Sequence, residues 1–395
     1  MDKVAIVSAV RTPIGNFGGA LMDFSAPQLG EIAAKAALQR AGVLAEQVNE
    51  SIFGSARQAG IGPNLARQIA WRVGMPVETT AFTVNKACGS GMKAVTLGAQ
   101  SILSGENEVV LAGGVEAMSQ IPYLLPKARW GYRLGDGQLL DANYKDGYDC
   151  PLCDMVMGET VDRLAEEYGI GRDAQDEFTA QSHQKASAAW ENGAFAEEVV
   201  PVEIPGRKGA VFLFERDERP RADSTPEGLK KLRPVFRTEE DGGTITAANA
   251  SGITDGAAAL VLAKAERAEA EGWPILGYID GFASGGVAPE RMGLGPVPAT
   301  RKLLEKTGYT LSDFDLIEIN EAFAAQVLIV ERELAWDTEK RNVYGGAVAL
   351  GHPTGCTGAR ILVTLLNSMR HRDASLGLAT LCISGGLGMS VAISR

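Results

Sequence analysis

Histidine is scarce in this chain: His183, His352 and His371 are the only three among 395 residues. Chemistry that moves protons through imidazole therefore has few candidates, and the setting of each one carries weight. Cysteine is also sparse. Cys88, Cys150, Cys153, Cys356 and Cys382 do not make a disulfide framework in a chain of this length. Three of the five lie in Gly-rich turns, which favours reactivity over stapling. There is no basic excess; the net charge of -11 argues against a nucleic-acid binder, while an anionic small ligand stays open wherever a local basic patch exists. No run approaches the roughly 18 apolar residues that span a bilayer. The beginning mixes acids and bases and reads as a strand, KVAIVSAV, without a basic region followed by an apolar core and cleavage site. The expectation is a soluble cytoplasmic protein with no membrane partner, large enough for two core units or one duplicated core.

What is abundant is glycine, 47 residues, and the chain is organised around one Gly-rich stretch, Asn85-Lys86-Ala87-Cys88-Gly89-Ser90-Gly91-Met92-Lys93. A strand-like run, Thr80 to Val84, meets the cysteine just before a helix-forming stretch, Met92 to Leu103. Unpaired N–H groups and the positive end of a helix dipole favour a thiolate there, and helix-start cysteines can fall from about 8.5 to roughly 3.5–7.5 in pKa. A buried cysteine in a tight turn is the other reading of this segment alone.

Strand and helix alternate on either side, which predicts an α/β fold with a mostly parallel sheet. Strands are expected over 3–10, 48–54 and 108–112, and helices over 26–41, ended by Gly42, and 64–73. From about Ser119 the alternation breaks. Tyr123 to Tyr132 is aromatic and basic without a period, suited to an oligomer contact or a lid. Helices are expected at 157–168 and 172–190, then a segment in which Arg207, Lys208, Arg216, Arg219, Arg221, Lys230, Lys231, Arg233 and Arg237 outnumber the acids. Phosphates could dock there; a solvated face fits the charge equally well. A second α/β half follows: a helix and strand over 257–263, strand 275–281, helix 299–307, strand 316–319, a helix opening after Asn320, a Gly-rich turn around His352 with a helix to about Met369, and a closing strand 378–383. Gly-rich turn, helix, strand and Gly-Gly recur at 89–114 and 351–386, the mark of a structural duplication.

Cys88, Asn320, His352 and Cys382 all fall at strand ends or helix starts inside such turns, where active-site groups of α/β folds gather. His183 and His371 lie in or at the end of charged helices, and both are expected to face solvent. His352 stands in a Gly-His-Pro setting. A cysteine with a histidine is a nucleophile with its base, and a second cysteine beside them can carry a proton.

The segments NKACGSGMKAV, NEAFAAQ, GGAVALGHPTGCTGAR and CISGGLG resemble the four signature regions of the thiolases, the family of acetyl-CoA acetyltransferases and 3-ketoacyl-CoA thiolases. The similarity runs from VSAVRTPIG to the last strand. It implies the thiolase fold: two duplicated βαβαβαββ core halves in a five-layered α-β-α-β-α arrangement, with residues 1–118 and 244–268 forming the first half, 269–395 the second, and 119–243 an inserted loop domain for CoA binding and oligomer contact. The implied activity is acetyl-CoA C-acetyltransferase, a Claisen condensation or its thiolytic reverse in fatty acid metabolism. Cys88 would be acylated with His352 as base, and Cys382 would move the α-proton. One oxyanion hole would use His352 and a water on Asn320, the other the backbone N–H groups of Cys88 and Ser384. Ser251 and Arg221 would bind coenzyme A, and Met157, Phe323 and Phe236 would line the acyl pocket, the first and second of these being equally readable as core. No metal or cofactor beyond the CoA thioesters is implied, and the assembly would be a homotetramer, with 123–132 as the tetramer contact.

Three departures from the family pattern stand out. Glycine is usual where Ser384 stands, and a serine at φ > 0 would cost on the order of 1 kcal/mol or more and distort its oxyanion hole. Val156 occupies the place where many short-chain members carry histidine. Cys150-Pro151-Leu152-Cys153 is a C-x-x-C without a second ligand pair for zinc; an incidental loop pair or a redox role remains. The alternatives to a short-chain enzyme are a longer-chain degradative 3-ketoacyl-CoA thiolase, a condensing synthase, against which Cys382 counts, and a weakly catalytic acyl-CoA-binding scaffold. Two thiols in one pocket could also form a reversible Cys88–Cys382 disulfide if their Cα atoms come within about 7 Å.

Overall fold

The computed structural model describes residues 3–395. Its centre is a ten-stranded sheet, mixed where a mostly parallel one was expected: nine strands divide into two halves, and the short strand Gly15–Asn16 pairs with Thr254–Lys264 off this path. In the first half the order is Thr80–Val84, Glu50–Gly54, Val109–Ala117, Thr254–Lys264, Val4–Arg11, with the first three parallel and the last two antiparallel to their neighbours. The second half runs Leu316–Ile319, Leu376–Ile383, Leu387–Ser394, Gly277–Gly286, beginning parallel and ending antiparallel. The halves join only where Ala5 and Ile6 pair with Tyr278 and Gly277. The second half has four full strands where duplication implies five; its missing one survives as a single parallel bridge between Ile317 and Arg341.

Period-two alternation turns these strands into layers, because successive side chains leave on opposite faces. Val109, Leu111 and Val115 pack outward with the Ala26–Ala41 and Leu65–Arg72 helices. Val110 and Ala112 face inward onto the helices Ser90–Leu103 and Thr354–His371, which also receive Ala379, Leu381, Val391 and Ile393 from the second half. Ile317, Ile319, Leu378 and Ala392 point to the opposite outer layer, with the helices Met157–Tyr168, Pro296–Thr307 and Ala324–Leu334. The result is helix, sheet, helix, sheet, helix, as the resemblance implies. The two central helices approach closely through glycine: a Cβ on Gly91 would sit 2.8 Å from the Ala359 backbone nitrogen, and one on Gly358 would sit 2.5 Å from that of Met92.

Two expectations fail locally. Residues 254–264 form one uninterrupted strand, with no helix before it; the segment is central and buried on both faces, and 257–263 is apolar throughout, a pattern that periodicity alone cannot assign. Leu387–Ser394 is a further strand, hairpinned onto Leu376–Ile383 through the Gly385-Gly386 turn. The excursion 119–243 carries short hairpins and the helices Met157–Tyr168 and Arg172–Glu191. Within it Tyr123, Leu125, Trp130, Leu134 and Leu139 are exposed, Trp130 at 86% and Leu134 at 99%.

Candidate active site

The turn before the Ser90–Leu103 helix is built to present a side chain. Ala87 adopts φ 46, unusual for a residue with a Cβ. The Ser90 hydroxyl locks the turn, accepting the Lys86 N–H at 2.8 Å and donating to the Ala87 carbonyl at 2.6 Å. Cys88 follows, one residue before the Gly89 cap, and lines a cavity of about 630 Å³ together with His352, Cys382 and Ser384. All five cysteines are free thiols.

The electrostatics at Cys88 differ from the sequence expectation. Burial pushes the thiol up, outweighing the Arg57 guanidinium and the backbone N–H groups of Ser384 and Cys88, which favour the thiolate. In the ligand-free site the helix start does not win, because desolvation penalises the anion more than these donors repay. Cys382 is pushed up as well, by burial and then by the neighbouring Cys88. A thiol this reluctant to ionise holds its proton at rest.

His352 is the histidine on this cavity. Burial, then Arg57 and Arg360, pushes it down to about 3, so the ring is neutral. Its Nδ1 lies 2.6 Å from Thr357 Oγ1, while its buried Nε2 has no hydrogen-bond partner among the described residues. The His352 N–H donates to the Gly252 carbonyl at 3.0 Å, tying this loop to Ser251. Ser251 lines the cavity and its own N–H donates to the Ala322 carbonyl. Asn320 is fully buried, its backbone N–H donates to Thr380, and both atoms of its amide are unpartnered, a polar pair able to hold water. It does not line the cavity itself; Ala322 and Phe323 do.

The acyl wall is apolar. Met157 and Phe323 are both core residues and cavity-lining ones, and Phe236 meets Phe323 edge to face at 6.2 Å. Phe236 lies so close to Gly158 that a Cβ there would come within 2.1 Å of its ring. Val156 completes this wall.

Two readings are corrected, those of Ser384 and His183. Ser384 is free of positive φ; the left-handed turn is carried by Gly385 (φ 81) and Gly386 (φ 82), so serine costs the backbone nothing there. His183 is buried, not solvent-facing: its Nδ1 accepts the Arg221 N–H at 3.2 Å, and burial followed by Arg219 and Arg221 pushes it down to about 4. The Arg221 side chain is exposed and outside the cavity lining, while Arg219 lines it. Arg219 donates to the carbonyls of Val348, Ala247 and Ala250, bracing the Ser251 loop. Within the basic segment Arg237 pairs with Glu166 and Lys230 with Asp173.

Sequence reasoning missed Arg57 altogether. It follows the Glu50–Gly54 strand in a stretch without a motif, and only the fold brings it against the cavity. Among the described residues no group of three or more His, Cys, Asp and Glu side chains could hold a metal ion, and no helix is long and apolar enough to cross a membrane.

Known proteins agree with this architecture. Residues 4–266 match the family model "Thiolase, N-terminal domain" and residues 273–395 match "Thiolase, C-terminal domain". The chain is 53% identical over 396 residues to an acetyl-CoA acetyltransferase of Escherichia coli strain K12, covering 100% of both chains. The crystal structure of the Bacillus anthracis acetyl-CoA acetyltransferase superposes with a TM-score of 0.97 at 45% identity, covering 100% of this chain and 99% of that one. Human mitochondrial 3-ketoacyl-CoA thiolase in complex with CoA superposes with a TM-score of 0.95 at 42% identity, over 100% and 98%.

Proposed function

We propose that this chain, which belongs to the thiolase family, is an acetyl-CoA C-acetyltransferase working through an acyl-Cys88 intermediate. The observation that carries the reading is the meeting of Cys88, His352 and Cys382 on one cavity, with the backbone N–H groups of Ser384 and Cys88 directed at the nucleophilic sulfur. In the thiolytic direction His352 Nε2 takes the Cys88 proton and the sulfur attacks the 3-keto carbon of acetoacetyl-CoA. The C2–C3 bond breaks, and the departing enolate takes its proton from Cys382. Coenzyme A then gives its thiol proton to Cys382 and attacks the acetyl-Cys88 thioester, while His352 returns the first proton to Cys88. Condensation is the same path reversed. His352 and a water on Asn320 stabilise the enolate oxygen, and the two N–H groups stabilise the tetrahedral intermediate; each donor of this kind typically contributes about 2.7–4 kcal/mol.

CoA is held at the Ser251 loop, and Arg221, exposed nearby in sequence to the cavity-lining Arg219, meets its phosphates. The two thioesters and the side chains carry the chemistry without a cofactor. The enzyme works in the cytoplasm as a homotetramer, with the exposed aromatic stretch 123–132 between dimers.

The apolar wall of Val156, Met157, Phe236 and Phe323 favours a second reading, a longer-chain 3-ketoacyl-CoA thiolase. Thiolysis of acetoacetyl-CoA and of a longer 3-ketoacyl-CoA, beside Cys88→Ala, decides between them. Turnover of acetoacetyl-CoA alone, abolished in the variant, supports the first; preference for the longer chain supports the second; turnover of neither rejects both.

A further inference from the structure

Arg57 is a buried cation in the wall of the reaction cavity, and its guanidinium is fixed from three sides. Nη1 donates to Thr354 Oγ1 at 2.7 Å, and Nε and Nη2 both reach the Asn143 carbonyl at 3.4 Å. The ring of Tyr148 lies across it at 4.8 Å. Gly147 makes this seat possible, since a Cβ there would fall 1.9 Å from Nη2 and 2.2 Å from Cζ. Among the described residues the guanidinium thus bonds a hydroxyl and a carbonyl, and its charge is not spent on a carboxylate partner. Glu116, the acid beside it, is occupied otherwise: it accepts the N–H groups of Ala56, Arg57 and Gly355 and the Ser55 hydroxyl.

We infer that Arg57 is a positioning residue for the reaction, a clamped positive charge in the cavity wall that stabilises the anion developing on Cys88 Sγ. The inference rests on Cys88 being the acylated nucleophile. Besides Arg57, the groups facing Cys88 are Glu116, His352, Cys382 and Tyr148; Lys86 and Lys93 flank it in sequence, with Lys86 bonded to Ser284 Oγ. Of these, Arg57 favours the thiolate and Glu116 opposes it. The same cation disfavours imidazolium at His352. That second effect opposes proton transfer to His352, so the help Arg57 gives is to the thiolate alone.

The test follows alkylation of Cys88 by iodoacetamide across pH, read on the Cys88 peptide by mass spectrometry, in the native enzyme, Arg57→Met, Arg57→Lys and Thr354→Val. The expected result is that Arg57→Met raises the midpoint of reactivity by about one pH unit, with roughly tenfold slower alkylation below it, and that Arg57→Lys restores most of the native profile. Thr354→Val, which loosens the clamp and keeps the charge, shifts the midpoint the same way by less, and carries the test should Arg57→Met not fold. Coincident native and Arg57→Met profiles, or an unshifted Thr354→Val profile where that variant alone is folded, overturn the inference while leaving acyl-Cys88 intact. A native Cys88 that resists alkylation at every pH overturns the acyl-Cys88 reading, and this one with it.

Discussion

Thr357 holds His352 in one tautomer. Its Oγ1 lies 3.0 Å from the Pro353 carbonyl and 2.6 Å from His352 Nδ1. The hydroxyl has one hydrogen, and giving it to the carbonyl leaves the oxygen to accept Nδ1–H. The lone pair of the ring is then on Nε2, the unpartnered atom. The base is aimed by a residue one helical turn further along its own segment.

Thr357→Val should therefore strand a buried N–H, a cost of about 1–3 kcal/mol, and lower turnover roughly ten- to hundredfold. Thr357→Ser should retain most of the rate. Steady-state thiolysis of acetoacetyl-CoA by the two variants checks this, and equal losses in both would contradict the tautomer assignment.

The two catalytic thiols separate in a single-turnover experiment. Cys88→Ala should show neither acyl-enzyme nor turnover. Cys382→Ala should still transfer the acetyl group of acetyl-CoA to Cys88, more slowly because the leaving CoA thiolate loses its proton donor, detected as a mass increase on that peptide, while losing condensation. Condensation retained in Cys382→Ala would remove that thiol from the α-proton transfer.

At position 384 the expectation is a near-neutral exchange. Ser384→Gly should leave activity and melting temperature close to native, because the left-handed turn belongs to the next two residues. Gly386→Ala should be damaging: φ is 82, and the added Cβ would lie 2.3 Å from the Val287 carbonyl oxygen. Thermal melts of the pair provide the contrast, and a destabilised Ser384→Gly would refute it.

Much of this site was legible in the sequence for a definite reason. Cys88 and His352 lie in Gly-rich turns and Cys382 next to the end of a strand that runs into one, so chemistry and local geometry are written in the same few residues. The strands 80–84 and 316–319 and the helix 157–168 stand as expected, because their apolar patterns are short and well punctuated. Arg57 was illegible, since a lone arginine in a loop says nothing until Thr354, almost 300 positions away, meets it. His183 was misread because its helix is charged overall, and only tertiary packing covers the face it occupies. The 254–264 strand carries no amphipathic period, being apolar on both sides over 257–263.

Acid should weaken the fold through that same His183. An unfolded chain protonates this residue near pH 6.5, the folded protein only at about 4. The stability is fully present above the unfolded value and declines as pH falls through this window. His183→Gln should flatten the decline by up to about 3 kcal/mol. Urea denaturation at pH 7 and pH 4.5 measures it; parallel losses in native and variant proteins would assign the acid sensitivity elsewhere.

The carboxylate of Glu116 joins residues 55–57, which follow a strand of the first half, to Gly355, which opens a helix of the second. Cys88 belongs to the first half and His352 to the second. Had each half once been a separate chain, two identical copies would have formed a symmetric pair, with every nucleophilic turn facing its own likeness. Only after fusion could one turn keep a cysteine while its counterpart acquired a histidine. Glu116 is a buried acid that accepts from both halves at this seam, one carboxylate holding two unequal copies in register.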